Sequence, residues 1–258
     1  MRYALHAEWT KLRTLASTFF LLLAAAALTV IVSATAASAT QCPSSACADD
    51  PAKISLTGIY LGQAVVAVLA VLAVSGEYGT GMIRLTLAAT PRRLTVLTAK
   101  AAVLTGLVLV TGTIAVLASL LAGGLILPGH GIGPSHGYPA LSLSDGPVLR
   151  AAIGSVFYFA LIALLSLGAA TALREAAAAI GVVLGLLYLF PIIAAVAGNA
   201  AVARHLEQIG PMTAGLAIQA TTGLNSLPIS PWAGLGVLAA WAAGALLLGG
   251  LLLRLRDA

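Results

Sequence analysis

Charged residues are scarce in this sequence: only 8% of its 258 residues are Asp, Glu, Lys or Arg, whereas 60% are hydrophobic. A water-soluble domain carries roughly a quarter charged residues, because its surface faces water. With a mean hydropathy of +1.04, this chain has too little charge to cover a soluble globule of its length. The composition therefore predicts an all-α integral membrane protein, with one membrane domain over residues 1–258.

Cysteine is almost absent too, since Cys42 and Cys47 are the only two in the chain. Two thiols are too few for a structural zinc site, which takes four ligands. They share one predicted outer loop, where they form either a small disulfide or two free thiols. His130, His136 and Asp145 lie in the next outer loop without a spacing that defines a metal site. We therefore predict no metal, no cofactor and no catalytic residue.

Long apolar runs are what the sequence has in abundance. A helix needs roughly 20 apolar residues to cross a hydrocarbon core of about 30 Å. Six runs qualify, at about 17–37, 56–75, 101–127, 151–173, 176–198 and 232–253, and none contains Asp, Glu, Lys, Arg or His. An intramembrane enzyme needs a nucleophile with a base, or His and carboxylate metal ligands, at membrane depth. The absence of such groups argues against one, and it also counts against an ion-coupled carrier.

The basic residues predict the orientation of the chain. If both termini are cytoplasmic, ten Lys and Arg lie on the inner side and three on the outer side, which follows the positive-inside rule. We therefore expect a multi-pass protein of the plasma membrane with cytoplasmic termini. Because the cations flank apolar runs, the net charge of +5 reflects orientation and not nucleic-acid binding.

The start of the chain has two interpretations. Basic residues, an apolar run and Ala37-Ser38-Ala39 resemble a signal peptide with its cleavage site, but the run is long enough to be a retained first span. Ahead of it, Leu5, Trp9 and Leu12 recur at helical spacing. They predict either an amphipathic helix in the inner headgroup layer or a plain extension of the first span.

Small and polar residues inside the spans allow two interpretations. Gly58-x-x-x-Gly62 and Gly181-x-x-x-Gly185 permit close helix packing, for which ordinary packing within the chain is the favoured interpretation over a dimer. Eight polar residues either line a cargo path or form hydrogen bonds within the bundle: Gln63, Thr105, Thr111, Thr113, Ser155, Tyr158, Ser166 and Tyr188. The half-apolar segment 199–231 predicts one or two short helices against the outer leaflet.

The inner loop at 75–100 holds four of the ten inner cations. A helix from about residue 80 to 89 would place Arg84 opposite its apolar side, and Pro91 would end that helix. A short helix held between two spans has the shape to bind a soluble partner.

Three pieces of the sequence carry a resemblance to a known family. They are EWTKLRTLASTFF near the start, GEYGTGMIRLTLAATPRR after the second span, and LLLRLRDA at the end. In order and spacing the chain resembles the ABC type-2 transporter permeases, and in particular the bacterial exporter subunits that work with a separate ATPase. The most specific piece runs from Glu77 to Arg93.

The resemblance implies a partner and a site. The permease would work as a homodimer or beside a similar permease, bound to a separate ATPase and surrounded by lipid. The leading segment would be an interfacial connecting helix, and the loop after span two would carry a coupling helix. The residues implied to contact the ATPase are Glu77, Tyr78, Gly79, Thr80, Arg84, Arg92 and Arg93.

The resemblance also implies that this chain is not an enzyme. The sequence has no G-x-x-x-x-G-K-[ST] phosphate loop, so ATP hydrolysis would come from the partner. The alternatives are a non-transporting membrane protein, such as an immunity or scaffold subunit, and a secondary transporter. The cargo does not follow from the resemblance.

Overall fold

A computed structural model describes residues 2–41, 50–82, 93–133 and 141–255. Within these ranges the chain is helical and contains no strand. The α-helices, in chain order, are α1 (Arg2–Thr14), α2 (Ala16–Ala39), α3 (Pro51–Ser55), α4 (Ile59–Gly79), α5 (Arg93–Ile126), α6 (Gly146–Leu173), α7 (Ala176–Val196), α8 (Ala200–Ile209), α9 (Pro211–Leu216) and α10 (Pro231–Leu255).

Six of the described helices, α2, α4, α5, α6, α7 and α10, are long and apolar enough to cross a membrane. The predicted number of spans is confirmed, and so is the all-helical fold class. The helix ends differ from the prediction at one place that matters. Helix α4 continues through Glu77, and α5 begins at Arg93 and includes Lys100. The predicted apolar runs are themselves uncharged, but the helices that contain them extend into charged residues at these ends.

Helix α6 forms the centre of the bundle and contacts α4, α5, α7 and α10. In an apolar 18-residue stretch of α6, 67% of the residues are buried inside the bundle. The corresponding share is 17% for the peripheral α2. Helix α6 approaches the backbone of α10 closely, since a Cβ added to Gly168 would lie 2.4 Å from the carbonyl carbon of Ala245. Small residues thus let two helix backbones pack directly, as is common in membrane bundles.

The two glycine motifs face different surroundings. A Cβ on Gly58 would lie 1.8 Å from the Thr29 carbonyl oxygen, and one on Gly62 would lie 2.1 Å from Thr29 Oγ1. Packing within the chain is therefore confirmed for this pair. For Gly181 and Gly185 the prediction of packing within the chain is wrong, because a Cβ on either residue would meet no atom within 4 Å. This second motif lies on the exposed side of α7.

The predicted short helices of the segment 199–231 are present as α8 and α9. Helix α8 has no buried residue, whereas α9 enters the bundle and buries Met212 and Leu216. Gly215 permits this entry, since a Cβ there would lie 2.7 Å from the Tyr158 ring. The segment is therefore partly bundle core and not only a surface element.

Several polar side chains of the spans form hydrogen bonds inside the bundle. The Tyr158 hydroxyl donates to Gln63 Oε1, while Gln63 Nε2 donates to Met212 Sδ at 3.1 Å. The Tyr188 hydroxyl donates to the Tyr60 carbonyl oxygen. Both Gln63 and Tyr158 are completely buried. For these residues the structure favours a role in packing over the lining of a cargo path.

Contacts between helix ends define one end of the bundle. Arg93 Nη1, at the start of α5, donates to the Leu253 carbonyl oxygen near the end of α10 at 2.8 Å. The Arg174 guanidinium, just after α6, lies 5.4 Å from the centre of the Tyr78 ring near the end of α4. Helix α1 also packs at this end, against α5 and α2. We call it the basic end; that it faces the cytoplasm stays a prediction.

Candidate functional site

Helix α1 packs with a face that differs from the predicted apolar stripe. Glu8 is 2% exposed and Leu12 is 5% exposed, whereas Trp9 is 44% exposed. Leu5 is only partly buried. Leu12 of the stripe is buried together with Glu8, whose carboxylate pairs with Lys100 on α5 and with Lys11 on α1 itself. Trp9 instead points to the surroundings, where its ring suits a headgroup layer. That α1 is an interfacial helix stays a prediction.

Two spanning helices bring the partners of α1 together. Glu77 lies in the last turn of α4, and Lys100 lies in the second turn of α5. Because α4 and α5 are consecutive spans, the end of one lies beside the start of the other. Both side chains are nearly buried, with relative exposures of 10% for Glu77 and 5% for Lys100.

These four residues form an ion-pair network, which we call the charge cluster: Glu8, Lys11, Glu77 and Lys100. Lys100 Nζ lies 2.6 Å from Glu8 Oε2 and 2.9 Å from Glu77 Oε1. Lys11 Nζ lies 3.2 Å from Glu8 Oε1 and 3.0 Å from Glu77 Oε1. Lys100 Nζ also donates to the Ala73 carbonyl oxygen at 3.1 Å. The cluster joins α1, α4 and α5 by charge.

The charges within the cluster balance, two carboxylates against two ammonium groups. Burying an isolated charge is costly, and paired, hydrogen-bonded charges offset much of that cost. Burial alone would lower the pKa of Lys11, but the hydrogen bond to Glu77 and the charges of Glu8 and Glu77 outweigh it and raise this pKa. The stabilisation from Lys11 is therefore present at neutral pH and is lost only when alkaline pH passes through the raised pKa.

A cavity of about 270 Å³ lies beside the cluster. All four cluster residues line it, together with apolar side chains of α1, α2 and α4. One cluster atom, Glu77 Oε2, is buried and has no hydrogen-bond partner among the described residues. Leu15 (51% exposed) and Leu72 (40% exposed) belong to the cavity wall, so the cavity opens to the surroundings of the bundle.

The residues implied to contact an ATPase lie in several environments. Glu77 is engaged in the charge cluster, and Tyr78 is half-buried under Arg174. Gly79 and Thr80 are exposed at the end of α4. Arg93 is half-buried and bonded to α10.

The remaining predicted residues lie outside the part of the chain that the structure describes. These are Arg84 and Arg92 in the coupling segment, Cys42 and Cys47 in the first outer loop, and His136 in the second. The coupling helix and the disulfide both stay predictions.

Sequence reasoning assigned no role to Glu8, Lys11 or Lys100. A signal for them was present in the spacing. Glu8 and Lys11 stand three residues apart, on one face of a helix. Glu77 and Lys100 carry opposite charges just beyond the predicted spans 56–75 and 101–127, at the end that two consecutive spans share.

Within the described ranges, no group of three or more His, Cys, Asp or Glu residues is placed to hold a metal ion. In comparisons with known proteins, no protein-family model and no curated protein matches the sequence.

Proposed function

We propose that this chain is the membrane subunit of an ATP-driven exporter of the plasma membrane, powered by a separate ATPase. Six apolar helices, cations concentrated at one end, and no phosphate loop in the sequence support this assignment. The resemblance of the segment from Glu77 to Arg93 to the coupling region of ABC type-2 permeases supports it further. The basic end is then the cytoplasmic end.

The charge cluster is the observation that carries the proposal. The segment at 80–92 connects α4 to α5, and the cluster ties these two helices to α1 directly beside that segment. A force applied to the segment by an ATPase therefore acts on three helices together. Closure of the ATPase would shift the population of the bundle between inward- and outward-facing arrangements. On this mechanism Glu77 positions the coupling segment and does not itself touch the ATPase.

Reversing the two arginines of the coupling segment tests the proposal. We expect Arg84→Glu with Arg92→Glu to lower the amount of ATPase that co-purifies with the tagged chain by at least about ten-fold. The reason is that truncating or reversing interface charges typically costs 2 kcal/mol or more. The measurement is quantitative mass spectrometry of chain purified from its native membranes in mild detergent.

The matched control reverses two cations at the opposite end of the bundle, Lys53→Glu with Arg204→Glu, both of which are exposed. This control should capture as much ATPase as the wild-type chain. Undiminished capture by the Arg84 and Arg92 variant, in protein that is correctly inserted, would contradict the assignment of the coupling segment.

A second copy of the chain, or a similar permease, completes the proposed transporter. The exposed Gly181-x-x-x-Gly185 motif on α7 supports a helix contact between two subunits, because small residues allow close approach. We expect Gly185→Leu to weaken dimerisation about ten-fold, a loss of about 1.4 kcal/mol, as measured by single-molecule photobleaching in liposomes. Gly106→Leu is the control, since Gly106 on α5 also has open space around its Cβ position but has no second glycine three or four residues away. If both variants form the same fraction of dimers, α7 does not belong to the interface between the subunits.

An ion-coupled carrier is the second candidate function, and the charge cluster favours it. Such carriers keep ionisable groups near the membrane interior, and Glu77 and Lys100 lie within spanning helices. Proton flux through proteoliposomes of the purified chain that Glu77→Gln abolishes would favour this candidate. Absence of such flux, together with capture of an ATPase, would favour the exporter.

A further inference from the structure

An apolar groove lies on the surface of the bundle, between α7 and α10. Both helices pack against α6, which forms the floor of the groove. Its volume is about 700 Å³, within the usual range of small-molecule pockets, roughly 300–1,000 Å³. No charged side chain occurs among the described residues that line it, which include Leu165, Leu173, Val182, Leu186, Trp241 and Leu248. Val182 and Leu248 are more than half exposed, so the groove is open to the surroundings of the bundle.

The groove extends along about half of the membrane thickness. On α10 its lining runs from Val237 to Leu248, which is about 16 Å at a rise of about 1.5 Å per helical residue. The hydrocarbon core of a bilayer is about 30 Å thick, so this length corresponds to one leaflet. That leaflet lies at the basic end, because Leu173 lines the groove and directly precedes Arg174.

The opposite end of the groove is closed. Trp241 Nε1 donates to the carbonyl oxygen of Ile209, the last residue of α8, at 3.0 Å. The Trp241 ring also packs edge-on against the ring of Phe190 on α7, with the ring centres 6.4 Å apart. Helices α8 and α9 each contact both α7 and α10. They therefore occupy the space between these two spans where the groove ends.

The closed end decides between the two occupants that a membrane offers. A spanning helix of a second copy must pass through the whole hydrocarbon core, and α8 and α9 block its path halfway. An acyl chain of a lipid in the leaflet at the basic end needs only the half that is open. The exposed Arg254 in the last turn of α10 complements the phosphate charge of such a lipid. Gly181 and Gly185, the proposed subunit contact, are not among the described residues that line the groove.

The shape of the groove, and not its apolar character, makes it a binding site. A lipid tail is as apolar as leucine, so entering the groove gains nothing from the hydrophobic effect. A chain that lies against three helices makes more van der Waals contacts than a chain that lies against one. An unfilled groove would lose these contacts, and water does not stay in a space with apolar walls.

We propose that this groove binds one acyl chain of a phospholipid from the leaflet at the basic end. The chain enters beside Leu173 and Leu248, and its terminal methyl group reaches Trp241. The site does not depend on the exporter function, and it requires no ATPase.

The fluorescence of Trp241 reports the position of the chain. Replacing the other two tryptophans, Trp9→Phe and Trp232→Phe, leaves Trp241 as the only one, and both replaced side chains are exposed. The full-length variant is reconstituted with phosphatidylcholine brominated either near the terminal methyl group or near the ester, and is then washed in bromine-free detergent. We expect at least about two-fold lower fluorescence with the bromines near the methyl group, because bromine quenches an indole ring that it contacts.

A groove-filling variant makes the test specific. Gly244 lines the groove, and a Cβ added to it meets no atom within 4 Å, so Gly244→Leu should fill the space without disturbing the fold. We expect it to retain about ten-fold less phospholipid after the wash, counted by native mass spectrometry, because the added side chain takes the place of the acyl carbons. Gly236→Leu is the matched control. Gly236 lies on the same helix with equally open space, is not among the described lining residues, and should leave retention unchanged.

Several results would overturn the proposal. Absence of quenching after the wash would mean that only freely exchanging boundary lipid touches the groove. Stronger quenching by the bromines near the ester would mean that the chain runs in the opposite direction. Unchanged retention by the Gly244→Leu variant would place the lipid elsewhere on the bundle. Dimers without bound lipid that Gly244→Leu disrupts would assign the groove to a second copy of the chain.

Discussion

Replacing Lys100 by methionine is expected to lower the free energy of unfolding by about 3–5 kcal/mol. Lys100 is the link between Glu8 and Glu77, at 2.6 Å and 2.9 Å from their carboxylate oxygens. Without it, one ammonium group, that of Lys11, faces two nearly buried carboxylates. Methionine keeps the volume of the lysine stem, so the loss reports on charge and not on packing.

Thermal unfolding in detergent, followed by the fluorescence of the three tryptophans, measures this effect as a drop in the midpoint of roughly 10 °C. Lys53→Met is the control, since it removes the same charge from an exposed side chain and should shift the midpoint by a degree or two at most. Adding Glu77→Gln to Lys100→Met should recover part of the loss, because the Glu8–Lys11 pair is then balanced. A Lys100→Met variant as stable as the wild-type chain would show that the cluster does not hold the three helices together.

Gly168→Val should abolish the accumulation of folded protein or reduce its stability by about 3 kcal/mol or more. The Cβ would lie 2.4 Å from the backbone carbon of Ala245 and 2.5 Å from the backbone nitrogen of Leu246. Backbone atoms cannot move aside as the end of a flexible side chain can. The contact between α6 and α10, the most extensive in the bundle, would therefore have to separate.

Yield of monodisperse protein in size-exclusion chromatography measures this second effect. Gly244→Val, on the same pair of helices, is the control, because a Cβ there meets no atom within 4 Å and the variant should behave as the wild-type chain does. Normal yield and stability of Gly168→Val would mean that α6 and α10 pack differently from the arrangement described.

The spans could be predicted from sequence because the signal is local. A run of apolar residues long enough to cross the hydrocarbon core must satisfy its backbone polar groups internally, and a helix does so. The structure accordingly has six helices that are long and apolar enough to cross a membrane, as predicted. The exact ends were less predictable, since helices α4 and α5 continue into polar sequence. Apolar length does not show where a helix stops.

The pairing within the charge cluster could not be predicted, because the residues that meet are far apart in sequence. Lys100 pairs with a residue 92 positions earlier and with another 23 positions earlier. The apolar runs and the basic residues predict that all of them lie in cytoplasmic segments, but they do not show which side chains meet. The sequence also did not show which side of α1 meets the bundle, because the stripe through Trp9 satisfies the helical period as well as the face through Glu8 does.

The entry of α9 into the bundle also depends on tertiary contacts. Met212 receives a hydrogen bond from Gln63, which lies 149 positions earlier in the chain. From composition alone, the segment 199–231 was half-apolar and suited a membrane surface. The structure shows that this segment reaches the core. Ile218 packs where Gly154 has no side chain, and Tyr158 packs where Gly215 has none.

ATP hydrolysis by the purified chain, with and without its captured partners, tests the central claim most directly. Chain isolated from native membranes in mild detergent should hydrolyse ATP, and it should lose that activity when a denaturant-free salt wash removes a co-purifying ATPase. Returning the washed-off protein should restore hydrolysis. Hydrolysis that stays with the isolated chain after every partner has been removed would contradict the account, and so would native material that contains no ATPase.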